Sequence, residues 1–504
     1  MAFHFQKIRK QPLINLKLRQ EILTGWIHLK KHIVASTISK TNKLIAEIPS
    51  FGTDYTWHII PANDTQTALF FHHFKTGSSP YADTSNVRLR IIEPATKYND
   101  NYVFSDANRA LYDMDGQPVW YLPDIPETQG NFIVIRDMKI SPQGTITFLS
   151  NENICEINYN GDLLWKGHKD GKVSGDTSEH FHHEVTRLAN GHYMVLGSEN
   201  VFWKRDPPPG YKIEMTKETK RDSILANQKT SFGTIIEYDQ EGKIVWSWKS
   251  SAYFMASDLK YYYPPFRGHV VDVHENSFFF DEQNNIIYIS FKNISRILKI
   301  HYPDGAVLNS YGETYEPDGT EKGNPFFCDQ HCCRKSEQGY LYLFNNNSCN
   351  ELTQLSKVVM MQEPTSETGK LKKVWEYECT LDGLDTSQQY ENIERRKKML
   401  GKQRELFEKQ YKETSWENAL KLNSHLTSGG YVFEMPDHSL FVCMSSQYSK
   451  LFIVSRDKKL IWSAAAEKWR PKEKKWSVIP QQYRASIMSK KDIEKLIWNS
   501  EKAN

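Results

Sequence analysis

Residues 154–165, ICEINYNGDLLW, carry the pattern that decides the fold: an apolar strand, a turn built from an acid or amide with Gly, and a second strand ending in Trp. A search for internal repeats finds this pattern six times in the 504 residues. Five copies end in Trp, and one has Asn309 in that place. The six copies are ALYDMDGQPVW (110–120), ICEINYNGDLLW (154–165), IIEYDQEGKIVW (235–246), ILKIHYPDGAVLN (297–309), VVMMQEPTSETGKLKKVW (358–375) and LFIVSRDKKLIW (451–462).

A second recurring segment, a turn that runs into a β-rich stretch, accompanies most of the copies, as in SPQGTITFLSN (141–151) and LANGHYMVLGSE (188–199). Trp120 and Trp462 are 462 − 120 = 342 residues apart over five intervals, or about 68 residues per repeat, which accommodates four strands of average length. A closed ring covers both faces of every such sheet, whereas an open array does not. The sequence therefore predicts an all-β fold, a six-bladed β-propeller, with a β-sandwich or two separate β domains as the alternative.

Segments without the repeat complete the predicted organisation. One of them is strongly charged, with 13 charged residues among the 23 from 391 to 413, which is typical of a solvated helix. The predicted parts are an N-terminal arm (1–36), a small β domain (37–105), the propeller (106–470) with a charged helical insertion at about 388–422, and a C-terminal helical tail (471–504).

The composition excludes several function classes. Lys and Arg number 64 against 61 Asp and Glu, a formal charge of +3, so the single-sign excess of a nucleic-acid binder or a polybasic membrane-surface protein is missing. No stretch approaches the roughly 20 apolar residues that span a bilayer. The first 35 residues lack the apolar run of a signal peptide, and seven cysteines are few for a disulfide scaffold. We expect a cytoplasmic protein, and a homo-oligomer is possible.

Three histidines in different repeats stand at similar distances from the turn that follows each of them. His183, His274 and His331 precede their turns by about seven to ten residues. Equal offsets in a ring mean equal height, so these side chains are expected to converge near the propeller axis, where Asn276 and Lys292 would join them. Such a cluster is cationic or hydrogen-bond donating, and no cage of Asp or Glu surrounds it, so it favours an anion.

That chemistry suits the transfer of a sulfuryl or phosphoryl group. The charge on the equatorial oxygens of such a group needs fixed donors and a positioned nucleophile. A neutral imidazole can be this nucleophile and form a covalent intermediate. Spacing alone does not identify which histidine attacks.

The segments around these histidines resemble the arylsulfotransferase family. DVHENSFFFDEQNNIIYISFKNISRILKI (272–300) is similar to the family pattern of a His-x-Asn-Ser turn, a strand, and Ser-x-Arg before a second strand. FFCDQHCC (326–333), followed by GYLYLFNNN, looks like its Gln-His element and the strand after it. HHEVTRLANGHYMVL (182–196) and SGGYVFEMPDHSLFV (428–442) look like the second-blade and last-blade elements, so the resemblance covers roughly residues 105 to 465.

The resemblance implies an aryl sulfotransferase that works without the nucleotide donor PAPS or any other cofactor. It would move sulfuryl from a small-molecule aryl sulfate to a phenolic acceptor by ping-pong kinetics. The family histidine that is transiently sulfated corresponds to His331, and His274 and Asn276 correspond to its anion-contacting His and Asn. His183 matches the second-blade histidine, with His182 as a possible substitute.

Two departures from the family pattern bear on this expectation. Lys292 stands where the family has Arg, and lysine keeps the charge but lacks the planar fork that grips two oxygens. Arg296 is the neighbouring cation that could compensate, but an offset of four residues on a strand is expected to place it on the same face about 13 Å further along. Family members are typically exported to the periplasm, so a periplasmic location is the alternative to a cytoplasmic one.

The sequence is also compatible with three other interpretations. A non-catalytic propeller scaffold would explain the repeats equally well. A quinone-dependent dehydrogenase needs a stacking Trp and a carboxylate-bound calcium at the axis, and no such set is found in the sequence. A metal site at Cys328, His331, Cys332 and Cys333 has the wrong ligand spacing, and Cys332 and Cys333 are then simply small buried residues.

Overall fold

The fold is taken from a computed structural model of the chain. It describes residues 23–29, 32–39, 51–61, 71–76, 84–129, 133–202, 229–254, 270–312, 326–347, 355–365, 370–385, 429–445, 449–479 and 482–500. The predicted charged insertion at 388–422 lies outside these residues, as does most of the predicted N-terminal arm.

A four-stranded antiparallel sheet comes first in the chain. Its strands are β1 (Leu23–Leu29), β2 (His32–Ser39), β3 (Asp54–Pro61) and β4 (His72–Lys75), in the order β2-β1-β3-β4. Strand β1 and part of β2 lie within the segment that the sequence suggested as an arm, so β-structure begins earlier in the chain than expected.

The remaining strands form a six-bladed propeller, as predicted. In chain order after β5 (Val87–Glu93), the strands are β6 (Asn101–Ser105), β7 (Ala110–Asp113), β8 (Pro118–Tyr121), β9 (Ile135–Ile140), β10 (Ile146–Ser150), β11 (Asn153–Ile157), β12 (Leu163–Lys166), β13 (His180–Arg187), β14 (Tyr193–Phe202), β15 (Lys229–Tyr238), β16 (Ile244–Lys249), β17 (Val270–Asp272), β18 (Glu275–Asp281), β19 (Ile286–Phe291), β20 (Arg296–His301), β21 (Val307–Gly312), β22 (His331–Lys335), β23 (Leu341–Asn345), β24 (Lys357–Gln362), β25 (Lys372–Glu378), β26 (Gly429–Glu434), β27 (Leu440–Ser445), β28 (Lys450–Val454), β29 (Leu460–Arg470), β30 (Lys475–Val478) and β31 (Ala485–Ser489).

Each blade is an antiparallel sheet whose first strand lies at the axis, where it contacts the first strands of both neighbouring blades. From the axis outward, the blades are β31-β6-β7-β8, β9 to β12, β13 to β16, β18 to β21, β22 to β25 and β26 to β29, and we number them 1 to 6. Buried apolar side chains form six clusters, one at each contact between adjacent blades. The hydrophobic core is therefore distributed around the ring, with one part between each pair of adjacent blades.

The two ends of the chain close the ring. Strand β31 supplies the axial strand of blade 1 and pairs with β6 from Ala485↔Ser105 to Ser489↔Asn101, a separation of up to 489 − 101 = 388 residues. Strand β5 pairs with the outer strand β29 of blade 6. The segment 471–504, predicted as a helical tail, thus contains β30 and β31 before its helix α1 (Lys490–Ser500).

The repeated Trp has a structural explanation. All six marker positions lie on the outermost strand of a blade, which confirms that one repeat is one blade. In four blades the indole N–H donates to a backbone carbonyl of the next blade, and this includes the contact from blade 6 to blade 1. The donor and acceptor pairs are Trp120 to Tyr159, Trp246 to Pro303, Trp375 to Arg456 and Trp462 to Met114, at 2.7–3.0 Å.

Within the described part of the chain, no helix has the length and apolar character that a membrane crossing needs.

Candidate functional site

Bulges in the axial strands bring the predicted histidines to one level. The antiparallel register shifts once in β9, β13, β18 and β22, on the axial strands of blades 2 to 5. A residue with positive φ lies at or beside each shift, namely Asp137, His183, His274 and Cys332. Because a bulge bends the strand and redirects side chains, the repeated bulge gives these four blades a common way to face the axis.

The three histidines meet at the centre of the ring. The rings of His183 and His274 lie edge to face with their centroids 5.0 Å apart. The ring of Tyr483 contacts both His183 and His331. Its centroid lies 5.5 Å from that of His183 and 6.5 Å from that of His331. The structure thus brings together side chains from blades 3, 4 and 5 that are up to 148 residues apart in sequence (331 − 183).

Each of these histidines is held through its Nδ1 atom. The Nδ1 of His183 lies 2.7 Å from the Nδ1 of His182, and that of His274 lies 2.9 Å from Asp272 Oδ2. The Nδ1 of His331 lies 2.6 Å from Asn346 Oδ1. In the described residues, no hydrogen bond is made to the Nε2 atom of these three side chains.

The tautomer of His331 follows from the contacts of Asn346. The Nδ2 of Asn346 donates to the Gly429 carbonyl at 2.9 Å, so its Oδ1 faces His331 as an acceptor. His331 Nδ1 therefore carries the proton, and its Nε2 carries a lone pair. His331 is 1% exposed, and its Nε2 is a buried atom with no hydrogen-bond partner. Since a buried polar atom is usually paired, this one is a sign of function.

The surroundings of His331 and His183 keep these two imidazoles neutral. Burial, together with the nearby cation of Lys292, lowers the pKa of His331 well below its usual value. Burial and the neighbouring His182 and His274 act in the same direction on the pKa of His183. A neutral imidazole with a free lone pair is the form that acts as a nucleophile or a base.

Asn276 and Lys292, the two other residues predicted for the site, make different contacts from the three histidines. Asn276 is fully buried, and its Nδ2 donates at 2.7 Å to the carbonyl of Gln330, the residue before His331. It therefore fixes the backbone that carries His331. Lys292 begins the turn after β19, where its backbone N–H donates to the His274 carbonyl at 2.9 Å. Among the described residues, its ammonium group makes no hydrogen bond or ion pair.

The expected relation between Lys292 and Arg296 is wrong. The strand β19 ends at Phe291, and the turn that follows, with Ser295 at φ 46°, reverses the chain so that Arg296 begins β20. The Arg296 guanidinium lies over the ring of Phe254, 5.9 Å from its centroid, on the core side of the blade. Arg296 therefore does not extend the strand that ends near Lys292.

The sequence analysis missed Arg136 and Tyr483. The Arg136 guanidinium lies 5.3 Å from the centroid of the Tyr483 ring, and its positive charge helps to lower the pKa of His183, after burial and the other histidines. A repeat alignment could have found Arg136, because Arg136-Asp137 stands in blade 2 where His183-Glu184 stands in blade 3. Tyr483 lies outside the repeats, and no sequence signal points to it.

A layer of buried charges lies next to the histidines. Arg484 donates to Asp137 Oδ1 at 2.7 Å and to Glu184 Oε2 at 3.3 Å, and Glu184 also pairs with Arg334. Burial acts to raise the pKa of Glu184, but the charges of Arg334 and Arg484 outweigh it and lower this pKa. Carboxylate oxygens of the layer also accept backbone N–H groups of the next blade, as Asp137 does from Val185 at 2.9 Å. The layer thus ties the axial strands together.

A cavity of about 440 Å³ lies on the other side of this layer. It is lined by the distal ends of the axial strands, including Lys139, Arg334 and Phe433, and by none of the three histidines. The cluster of His183, His274 and His331 and this cavity therefore lie at different ends of the propeller axis.

The cysteines near His331 have separate surroundings. Cys332 and Cys333 are free and buried, and the Cys332 Sγ accepts the Val432 N–H at 3.3 Å. Cys328 is disulfide-bonded. In the part of the chain that the structure describes, no group of three or more His, Cys, Asp or Glu side chains is arranged to hold a metal ion.

Comparison with known families gives the context for this site. The family model "Arylsulfotransferase (ASST)" matches residues 94–383, which is more than half of the chain and includes His183, His274 and His331. The chain belongs to the arylsulfotransferase family. The family match supports a transferase that acts on small aryl donors and acceptors. No curated protein is significantly similar in sequence.

Solved structures resemble the chain only distantly. A protein of unknown function from Bacteroides caccae is 10% identical, with 75% of this chain and 93% of that chain covered and a TM-score of 0.37. A periplasmic gluconolactonase, PpgL, from Pseudomonas aeruginosa is 10% identical, with 80% and 99% covered and a TM-score of 0.31. At these values we infer nothing about function from them.

Proposed function

We propose that the protein transfers a sulfuryl group from a phenolic sulfate ester to a phenol in two steps, through a sulfohistidine at His331 and without PAPS. The observation that carries the proposal is the Nε2 atom of His331, which is buried, unpaired and held with its lone pair free by the Nδ1 contact to Asn346. Because the imidazole is already held in the tautomer that attacks, the reaction does not bear the entropy cost of orienting it.

In the first step, the Nε2 lone pair of His331 forms a bond to sulfur while the bond from sulfur to the aryl oxygen breaks. The aryl oxide leaves with the electron pair. The imidazole becomes cationic, and its Nδ1–H remains hydrogen-bonded to Asn346 at 2.6 Å. In the second step, the oxygen of a phenol attacks sulfur, the bond from nitrogen to sulfur breaks, and His331 regains its lone pair. This order of events gives ping-pong kinetics.

The charges around the centre suit the sulfuryl oxygens. The positive charge of Lys292 lowers the pKa of His331, and that of Arg136 lowers the pKa of His183, so both cations lie close to the histidines. Fixed positive groups are most effective where negative charge collects in the transition state. His274, oriented by Asp272, adds a nitrogen at the same level.

The alternative of a non-catalytic scaffold gives no account of this arrangement. A scaffold has no need for three histidines that each use Nδ1 for anchoring and leave Nε2 without a partner in the described structure. The repeats alone are equally consistent with a scaffold and with an enzyme. The arrangement of the three histidines at the centre of the ring favours the enzyme.

The test is incubation with 4-nitrophenyl sulfate, with and without phenol. We expect release of 4-nitrophenol that phenol accelerates, and a sulfuryl adduct on His331 in the intact mass when phenol is absent. His331→Ala is expected to abolish both while the circular dichroism spectrum and the melting temperature stay close to those of the wild type. Unchanged turnover in His331→Ala would remove the mechanism proposed here.

A further inference from the structure

Glu275 is a buried carboxylate beside the histidines that the mechanism above leaves without a role. It is 2% exposed, and its Oε1 lies 2.8 Å from His182 Nε2. Its Oε2 has no hydrogen-bond partner in the described residues. Gly233 makes room for it, since a Cβ at that glycine would lie 2.5 Å from Glu275 Cγ. A buried carboxylate that is half unpaired is costly, so a role beyond packing is indicated.

The contacts form a chain that leads from Glu275 to the centre of the ring. When Glu275 is ionised, His182 Nε2–H donates to its carboxylate, which leaves the His182 Nδ1 as an acceptor. That Nδ1 lies 2.7 Å from His183 Nδ1, which therefore carries a proton, and His183 Nε2 is left with a lone pair. Each of the two rings has one donor and one acceptor, so a proton received at His183 Nε2 can be passed on as far as Glu275.

The proposed reaction needs such a proton acceptor. When the phenol oxygen attacks sulfur, the phenol must lose its proton, but His331 regains only its lone pair and already holds a proton at Nδ1. A base other than His331 must take the proton. In the first step, the departing aryl oxide needs a proton in return.

We infer that Glu275, acting through His182 and His183, stores the proton that the acceptor phenol releases and returns it to the aryl oxide that leaves the donor. In the second step, His183 Nε2 takes the phenol proton, His183 Nδ1 passes its own to His182 Nδ1, and His182 Nε2 passes its own to Glu275. The first step starts with Glu275 protonated, and the same protons move back until His183 Nε2–H protonates the departing aryl oxide. The inference rests on the proposed function, and it makes Glu275 a positioning and proton-storing residue.

The surroundings of Glu275 suit a carboxyl that changes its protonation state. Burial raises its pKa above the usual value, and the nearby Asp272 carboxylate acts in the same direction. The contact with His182 opposes them without reversing the shift. The carboxylate therefore holds a proton more readily than an exposed glutamate does.

Glu275→Gln tests the inference, because the amide oxygen can still accept from His182 while the side chain can no longer store a proton. His182→Asn is the second variant: its amide oxygen can accept from His183 Nδ1 but does not reach Glu275. The matched control is Glu237→Gln, since Glu237 is a fully buried carboxylate 2.7 Å from His192 Nδ1, in blade 3 with His182 but outside the site.

The two half-reactions are measured separately. The protein is loaded with 4-nitrophenyl sulfate, freed of donor by desalting, and mixed with phenol while the adduct mass is followed. We expect both site variants to lose about 100-fold in the rate of the second step, the lower end of the usual contribution of general base catalysis. Release of 4-nitrophenol should fall by less than about threefold, because 4-nitrophenoxide is a weakly basic leaving group that departs without the returned proton. With an acceptor phenol acidic enough to be ionised at the assay pH, the loss should shrink to less than about threefold. Glu237→Gln should match the wild type throughout.

An equal loss in both steps, or a loss that does not depend on the acidity of the acceptor, would show that Glu275 only orients His183 and would overturn the inference. No loss in either site variant would overturn it as well. Failure of the proposed function gives a different result, because the wild type itself would then form no adduct.

Discussion

The contact between Asn346 and His331 allows a quantitative test of the proposed nucleophile. Asn346→Ala removes the acceptor that holds the proton on His331 Nδ1, a buried hydrogen bond of 2.6 Å. Without it, the imidazole is free to adopt the other tautomer, in which Nε2 carries the proton and cannot attack. The cationic ring of the sulfohistidine also loses the acceptor that stabilises it.

The size of the effect follows from the burial of the pair. Leaving a buried donor unsatisfied costs about 1–3 kcal/mol. If this cost falls on the transition state, the first step slows by about 5- to 150-fold. The assay is stopped-flow mixing of the protein with 4-nitrophenyl sulfate without acceptor, where the burst of 4-nitrophenol gives the rate of sulfuryl transfer to His331. The KM for the donor should change less than the burst rate, because Asn346 contacts the nucleophile and not the donor.

The control is Asn158→Ala, because Asn158 is also buried but lies in a turn of blade 2, where its Oδ1 accepts the N–H groups of Asn160 and Asp162 at 3.0 and 2.9 Å. It should lower the melting temperature and leave the burst rate unchanged. A burst rate in Asn346→Ala within about twofold of the wild type would refute the tautomer argument. An equal loss in Asn158→Ala would show that the burst follows stability and not the site.

Three further predictions concern the charges of the site. Lys292→Arg should raise the transfer rate by up to about tenfold, the equivalent of one additional charged hydrogen bond of about 1.4 kcal/mol, and a clear loss in steady-state turnover would mean that the site is built around lysine. Because the pKa of His331 is lowered, its lone pair persists as the pH falls through the usual histidine value of about 6.5, so the burst rate should stay constant from pH 8 to about 6.5 and decline only at lower pH; a decline that begins near pH 7.5 would contradict this. Arg484→Met should cost about 3–5 kcal/mol of unfolding free energy in urea titrations, because it leaves buried carboxylates without their partner, whereas Lys75→Met, which removes an exposed ion pair with Asp54, should cost less than about 1 kcal/mol. Equal costs for these two variants would contradict the assignment of the buried layer.

The repeats allowed the fold to be predicted because propeller blades are local units. All strands of blades 2 to 5 come from consecutive segments, and the pattern of turn, strand and Trp can be read within about 68 residues. The closure of the ring could not be predicted in this way. Strand β31 is five residues long and has no repeat pattern, and its partner β6 lies at the other end of the ring sequence. A short strand is recognised only when its partner is known.

In the site, too, some features could be predicted from the repeats and others could not. The equal offsets of His183, His274 and His331 predicted their convergence, because their blades are equivalent. The relation between Lys292 and Arg296 was wrong, because the offset of four residues was counted along one strand, whereas a turn separates β19 from β20.

The sequence by itself thus determined the number of blades, the family resemblance and the three histidines, since each depends on patterns that repeat at short range. Only the tertiary structure decided the tautomer of His331, the place of Tyr483 beside the histidines and the link from Glu275 through His182. The tautomer depends on the Gly429 carbonyl of the next blade, which orients Asn346, and the other two features depend on contacts between side chains far apart in sequence. Such contacts arise when the axial strands meet, and no pattern within one blade encodes them.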